Sequence, residues 1–224
     1  MNNNKIIVAI DTPQEKRLSE LLNHLNPDLC MIKIGSILFN SLGRRSFDLV
    51  ANKGFNIFFD IKFHDIPNTV AHSILSFKGY PINLLTVHIS GGMSMLTRAR
   101  EAAHAIKSKV IGVSLLTSLD QKDVEKVFFN DIRKVADNLF DLAKEANMDG
   151  IVCSAHELKY ARTNIPNLLK IVPGIRLSSD NDDQKRVMSP GEALKLGANH
   201  LVIGRPITES KHPNAELEKI YETL

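Results

Sequence analysis

Residues 57–65 read Ile-Phe-Phe-Asp-Ile-Lys-Phe-His-Asp, a strongly apolar run that carries an aspartate and a lysine inside it. A short apolar run of this kind is typical of a strand that is covered on both faces. Such strands occur in parallel sheets that are packed against helices. The run therefore predicts a buried parallel strand, in which the charges of Asp60 and Lys62 require partners.

Seven similar runs occur along the chain, separated by segments in which apolar residues recur at helical spacing. The eight predicted strands are Ile6–Asp11, Met31–Gly35, Ile57–Phe63, Leu84–Ser90, Val110–Leu116, Gly150–Ser154, Leu169–Ile175 and His200–Gly204. The predicted helices are 13–25, 92–106, 132–146, 191–196 and 214–221. This alternation predicts an α/β fold, and we expect one (β/α)8 TIM barrel that spans residues 1–224 as a single domain. An open doubly wound sheet is the alternative, but its usual Gly-x-Gly-x-x-Gly turn does not follow the first strand.

Composition restricts the function classes. The 224 residues include 28 Lys and Arg against 25 Asp and Glu, a net charge of +3 that lacks the strong basic bias of nucleic-acid binders. Neither a membrane-spanning run nor a signal peptide is evident in the sequence. Cys30 and Cys153 lie in apolar runs, which favours buried, reduced thiols. We expect a cytoplasmic protein with no nucleic-acid or membrane partner.

Polar side chains recur at the ends of the predicted strands. Because the active site of a (β/α)8 barrel forms at the carboxyl ends of its strands, these positions predict a functional site. Scattered surface charges would not select strand ends in this way. We expect His88, in the fourth strand, to be a hydrogen-bonded residue of the barrel core. The remaining candidates are Asp11, Lys33, Asp60, Lys62, Asp65, Thr117, Ser118, Arg176, Gly204 and Arg205.

The third strand indicates a proton donor. Alternating side chains place Asp60 and Lys62 on the same side of the strand, and Lys33 on the neighbouring strand can point to the same place. With Asp65, two ammonium groups and two carboxylates would alternate at the barrel mouth without a metal ion. Flanking carboxylates favour the charged form of Lys62, which suits a cation that donates a proton. The alternative is an ion network that only fills the barrel end.

The last two strands indicate phosphate. Barrels often bind phosphate with the loops that follow strands 7 and 8. Gly204 can offer a backbone N–H, and the guanidinium groups of Arg176 and Arg205 match phosphate oxygens. The polar loop Leu177–Ser189 could close over that group through Gln184.

These residues resemble those of a known family. The stretch from Asp60 to Thr69, Asp-Ile-Lys-Phe-His-Asp-Ile-Pro-Asn-Thr, resembles the signature Asp-x-Lys-x-x-Asp-Ile-Pro-Asn-Thr of the orotidine 5′-phosphate decarboxylase family. Further matching segments follow in the family's order over nearly the whole chain. They surround Asp11, Lys33, His88, Thr117, Arg176, Gln184, Gly204 and Arg205.

The resemblance implies a decarboxylation without a metal or cofactor. Lys62 would protonate C6 of the pyrimidine as carbon dioxide leaves, and Asp60 would lie beside the departing carboxylate. Lys33 would orient the charged groups and reach the ribose, whose hydroxyls Asp11 would bind. Thr117 or Ser118 would contact the pyrimidine.

The resemblance also implies a phosphate site and a shared active site. The 5′-phosphate of orotidine 5′-phosphate would be held by Arg176, Gln184, Gly204 and Arg205. The chain would form a homodimer in which Asp65 and Thr69 reach the partner's active site.

Two other functions remain open at the level of sequence. A magnesium-dependent sugar-phosphate decarboxylase or aldolase of the same superfamily also carries Asp-x-Lys on its third strand. The continuation from Asp65 to Thr69, together with Arg176, favours the metal-free enzyme. A non-catalytic nucleotide-binding barrel is the other alternative. Such a protein would lack a charged site residue, and all four, Lys33, Asp60, Lys62 and Asp65, are present.

Overall fold

The structure is a computed structural model that describes residues 4–155, 157–175 and 188–224. Eight parallel strands close into a barrel in chain order, and the last strand pairs with the first. The strands are β1 (Ile6–Ile10), β2 (Cys30–Gly35), β3 (Ile57–Phe63), β4 (Ile82–His88), β5 (Lys109–Val113), β6 (Gly150–Val152), β7 (Leu169–Pro173) and β8 (His200–Ile203). This topology confirms the predicted (β/α)8 barrel.

Helices surround the barrel. In the described ranges they are α1 (Glu15–His24), α2 (Ser36–Leu42), α3 (Arg45–Ala51), α4 (Pro67–Leu75), α5 (Gly92–Ala105), α6 (Gln121–Phe128), α7 (Ile132–Glu145), α8 (Leu158–Asn164), α9 (Pro190–Lys195), α10 (Arg205–Thr208) and α11 (Pro213–Glu222). The five predicted helices correspond to α1, α5, α7, α9 and α11. The other six have between four and nine residues, too few for a clear helical period. Every helix in these ranges is too short or too polar to cross a membrane.

The barrel interior is filled by one apolar layer to which each strand contributes one side chain. The layer consists of Ile7, Met31, Phe58, Leu84, Ile111, Val152, Ile171 and Val202. Because side chains alternate along a strand, the residues two positions further along also face the interior. On β2, β3 and β4 those residues are Lys33, Asp60 and Thr86. A polar layer therefore lies above an apolar floor, towards the carboxyl ends of the strands.

The outer face of β3 is anchored by aromatic side chains. Phe59 on β3 contacts Phe39 and Phe47 edge-on, each with ring centroids 4.9 Å apart, and Phe77 at 5.0 Å. Phe47 and Phe59 are fully buried. Burial of one such ring contributes on the order of 2–3 kcal/mol. The packing fixes the strand whose inner face carries Asp60.

Candidate active site

Four charged side chains form a row of alternating sign at the carboxyl end of the barrel. The Lys33 ammonium lies 3.0 Å from Oδ1 of Asp11 and 3.9 Å from Oδ2 of Asp60. The Lys62 ammonium lies 2.9 Å from Oδ1 of Asp60. Exposure rises towards the ends of the row: Lys33 and Asp60 are 11% and 15% exposed, Lys62 is 33% and Asp11 is 50%. We call Asp11, Lys33, Asp60 and Lys62 the charged row.

A backbone irregularity aims Lys62 into the row. Phe59 pairs with Leu85 and Phe63 pairs with Val87, so that three residues of β3 lie opposite Thr86 alone. Lys62 adopts a φ of 53°, in the left-handed region that side chains other than glycine seldom occupy. Asp60 and Lys62 meet as predicted, but through a bulge as well as strand alternation. Strained backbone of this kind clusters at functional sites.

Two residues that complete the row are absent from the sequence-based candidates. Thr86 is fully buried, and its hydroxyl donates to Asp60 Oδ1 at 3.0 Å and accepts from the Lys62 backbone N–H at 2.9 Å. At Gly35, an added Cβ would lie 2.7 Å from the Lys33 Nζ and 3.2 Å from Asp11 Oδ1. Both residues could have been identified from the sequence by their positions. A threonine inside the apolar run of β4 and a glycine two residues after Lys33 on β2 both face the barrel interior next to the charged row.

The segment after β3 turns outward. Asp65 is exposed, and its carboxylate accepts a hydrogen bond from the backbone N–H of Ile66 at 2.6 Å. The apolar side chain of Ile66 is 66% exposed, and Thr69 in the first turns of α4 is exposed as well. The carboxylate that joins Asp60 in the charged row of the same chain is therefore Asp11, and not Asp65 as predicted.

His88 is the last residue of β4. It was expected in the barrel core, but the structure places it at the edge of the core. It is half-buried, and its ring centroid lies 5.3 Å from that of His64. Burial, followed by the nearby His64 and Lys62, lowers the pKa of His88. The neutral imidazole is therefore favoured close to the charged row.

The carboxyl end of β8 presents the candidate phosphate-binding residues. Gly204 follows the strand, and its carbonyl accepts the backbone N–H groups of Ile207 and Thr208 in α10 at 2.9 and 3.0 Å. Arg205 is the first residue of α10 and is exposed. This arrangement leaves the Arg205 guanidinium accessible to an anion. The predicted phosphate residues Arg176 and Gln184 lie outside the described residues, as does most of the loop Leu177–Ser189.

The predicted pyrimidine contacts lie in a turn after β5. Thr117 and Ser118 are both exposed. Thr117 lines a cavity of about 690 Å³ that also borders Phe140 on α7 and Tyr160 on α8. The structure thus places this turn at the carboxyl end of the barrel but gives neither residue a contact with the charged row.

The donor set at the site resembles an ion-pair network more than a metal centre. Across the part of the chain that the structure describes, no group of three or more His, Cys, Asp or Glu side chains is arranged to hold a metal ion. Each carboxylate of the charged row instead has an ammonium group within 4 Å. The row can therefore neutralise its own charge.

Comparisons with known proteins give one consistent family. Residues 4–220 match the family described as "Orotidine 5'-phosphate decarboxylase / HUMPS family". The chain is 39% identical to the orotidine 5′-phosphate decarboxylase of Saccharophagus degradans, with 96% of this chain and 93% of that protein covered. It is 41% identical to the enzyme of Coxiella burnetii, with coverage of 96% and 94%. The crystal structure of orotidine 5′-phosphate decarboxylase from Lactobacillus acidophilus superposes with a TM-score of 0.87 at 31% identity and covers 98% of both chains.

Proposed function

The chain belongs to the orotidine 5′-phosphate decarboxylase / HUMPS family, and we propose that it converts orotidine 5′-phosphate to UMP and carbon dioxide in pyrimidine biosynthesis. The observation that carries this proposal is the charged row, which holds the Lys62 ammonium beside Asp60 at the open end of the barrel. Relatives that bear the decarboxylase name are similar over nearly their whole length, which supports the same substrate here.

Lys62 is the proposed proton donor. When the bond between C6 and the carboxylate carbon breaks, its electron pair stays on C6 and carbon dioxide leaves. The Lys62 ammonium then transfers a proton to C6, and the neutral amine regains a proton from solvent. Only interactions that are stronger in the transition state lower the barrier, and an ammonium group held beside the growing negative charge meets that condition.

Asp60 has two proposed roles. Its carboxylate fixes the Lys62 ammonium at 2.9 Å, and it would lie next to the carboxylate that the substrate loses. Repulsion between these two carboxylates fades as the substrate group becomes neutral carbon dioxide. Positioning of Lys62 carries more weight in the proposal, because destabilisation of a bound substrate is a contested source of rate.

The rest of the substrate is assigned to neighbouring residues. Asp11 is half-exposed beside Lys33, which suits contact with ribose hydroxyls. The pyrimidine would meet Thr117 or Ser118. The 5′-phosphate would bind Gly204 and Arg205, together with Arg176 and Gln184 from the stretch outside the described residues. Binding energy gained at the phosphate can stabilise a closed site far from C6.

The active site is proposed to be shared in a homodimer. Asp65 and Thr69 are exposed, and Ile66 between them presents an apolar side chain to solvent. A second copy that covers Ile66 would bring Asp65 towards the Lys62 of the other subunit. The row would then gain a third carboxylate, as the family resemblance implies.

The proposal needs no cofactor and no metal, because the two lysines supply the positive charge. The cytoplasm is the proposed location, in keeping with the free, buried thiols of Cys30 and Cys153. Burial raises the pKa of the Cys30 thiol to about 12, which makes it unreactive.

A direct assay tests the function. The loss of orotidine 5′-phosphate absorbance is followed with purified protein in excess EDTA, and UMP is identified as the product. We expect full turnover in EDTA. Turnover that disappears with EDTA and returns with magnesium would contradict the metal-free mechanism, and a lack of turnover under both conditions, without UMP binding, would favour a sugar-phosphate enzyme. Tight UMP binding without turnover would favour a non-catalytic nucleotide-binding barrel.

A further inference from the structure

Thr86 is joined to both partners of the Lys62–Asp60 ion pair by one hydroxyl group. Its Oγ1 donates to Asp60 Oδ1 at 3.0 Å, the same oxygen that the Lys62 ammonium contacts. It also accepts the backbone N–H of Lys62 at 2.9 Å. One fully buried side chain thus holds the carboxylate of one residue and the main chain of the other.

The backbone of Lys62 needs such a restraint. A non-glycine residue with a φ of 53° is strained relative to ordinary backbone and persists only where its surroundings hold it. The bulge also takes its N–H out of the regular β3–β4 ladder, since three residues of β3 face Thr86 alone. The hydroxyl of Thr86 provides the acceptor that the regular ladder would otherwise supply.

From this geometry we infer that Thr86 is a positioning residue for the decarboxylation. It keeps Lys62 in the left-handed conformation and aims the Lys62 ammonium at the reacting carbon through Asp60. The inference rests on the proposed function, because it assigns Thr86 a role in that same site. Thr86 acts through Lys62 and Asp60 and does not itself need to touch the substrate.

The test compares three variants. Thr86→Val keeps the shape of the side chain and removes both hydrogen bonds, whereas Thr86→Ser keeps the hydroxyl. Ser108→Ala is the matched control, since Ser108 is also buried and its hydroxyl donates to the Ile82 carbonyl at the opposite end of the barrel. The measured quantities are kcat, KM, the Kd for UMP and the melting temperature.

We expect Thr86→Val to lower kcat by about 10- to 100-fold, the effect of misplacing a catalytic group by about 1 Å. KM and the Kd for UMP should change by less than about threefold, because ground-state contacts are kept. Thr86→Ser should retain most of the activity, and Ser108→Ala should lose stability without loss of kcat. The inference is overturned if Thr86→Val keeps the kcat of Ser108→Ala, or if Thr86→Ser is as slow as Thr86→Val.

Crystal structures of the wild type and Thr86→Val separate this inference from the proposed function. In the variant, we expect Lys62 to leave the left-handed region and its ammonium to move away from Asp60. An unchanged Lys62 in the variant would overturn the inference even if the wild type is a decarboxylase. A wild type that fails to decarboxylate orotidine 5′-phosphate would overturn the proposed function. The two crystal structures would still show whether Thr86 holds Lys62 in its left-handed conformation.

Discussion

The Lys62 ammonium lies 2.9 Å from the carboxylate of Asp60, two residues earlier in the same strand, while the Lys62 backbone has a φ of 53°. A regular strand would keep both backbones in the β region. Here the strand bulges at the point where the candidate chemistry takes place.

Gly35 leaves room for the Lys33 ammonium, so Gly35→Ala should displace that group. The new Cβ would lie 2.7 Å from Lys33 Nζ, much closer than Cβ atoms normally approach. We expect kcat/KM to fall by about 10- to 100-fold, since a catalytic network is misplaced. Steady-state kinetics checks this result.

Gly43→Ala is the control for Gly35→Ala. Gly43 has a φ of 55° at the end of α2, and a Cβ there would meet open space. The substitution should cost about 1–3 kcal/mol of stability, because an added Cβ disfavours this backbone conformation, and it should leave kcat/KM unchanged. Equal kcat/KM values for the two variants would show that space above Gly35 is irrelevant to the charged row.

Arg205→Ala should weaken ligands that carry a phosphate and spare those that do not. Loss of a hydrogen bond to a charged group costs about 1.5–3 kcal/mol, or roughly 10- to 100-fold in affinity. Calorimetric titration with UMP and uridine measures both ligands. Arg98→Ala, which removes an exposed guanidinium on α5, should alter neither affinity. An equal loss for UMP and uridine would contradict the phosphate assignment.

A shared active site predicts that two inactive variants rescue each other. Lys62→Ala and Asp65→Ala subunits, when co-expressed, should form mixed dimers in which one site has both residues intact. At equal subunit amounts a two-fold symmetric dimer should regain about a quarter of wild-type activity. Activity of the co-expressed pair is compared with that of each variant alone. Activity no higher than that of the single variants would place Asp65 and Lys62 in the same subunit's site.

His200 should make the protein less stable in mild acid. Burial lowers the pKa of His200, whose Nδ1 lies 2.8 Å from the Asn4 carbonyl oxygen. The unfolded chain takes up a proton near pH 6.5, whereas the folded chain resists it until lower pH. The free energy of unfolding should therefore fall as the pH drops below 6.5 and level off below the folded pKa. The half-buried His88, whose pKa is also lowered, acts in the same direction.

Substitution of His200 by Gln isolates its share of this effect. Gln keeps an N–H donor for the Asn4 carbonyl and does not titrate. Urea denaturation at several pH values should give a shallower pH dependence for His200→Gln than for the wild type. His24→Gln, at an exposed position on α1, should keep the wild-type dependence. If the free energy of unfolding depends on pH equally in the wild type and in His200→Gln, His200 does not cause the loss of stability in acid.

The barrel and β3 could be predicted from sequence because their signals are local. The observed bounds of β3, Ile57–Phe63, equal the predicted ones, since an apolar run bounded by polar residues defines a buried strand. The charges of Asp60 and Lys62 within that run marked the site, because buried charges require partners. The closed barrel could also be predicted from the order of the strands and helices, because eight regular βα units are compatible with few other topologies.

Other features depend on contacts between distant segments. Lys62 is not a residue that suggests a positive φ, and its backbone N–H bonds to Thr86 on the next strand, a contact that the sequence of β3 alone does not reveal. The short helix α4 could not be separated from a loop by periodicity, because it has nine residues. Gly35 acquires its role only when Lys33 and Asp11 have been brought together by the closed sheet.

The most direct measurement of the central claim is turnover by Lys62→Ala alongside its affinity for UMP. If the Lys62 ammonium protonates C6, turnover should fall by at least about 10³-fold, within the range that a positioned acid and its charge contribute. UMP should still bind, because the ribose and phosphate contacts remain. Turnover close to that of the wild type in a variant that binds UMP would contradict the account.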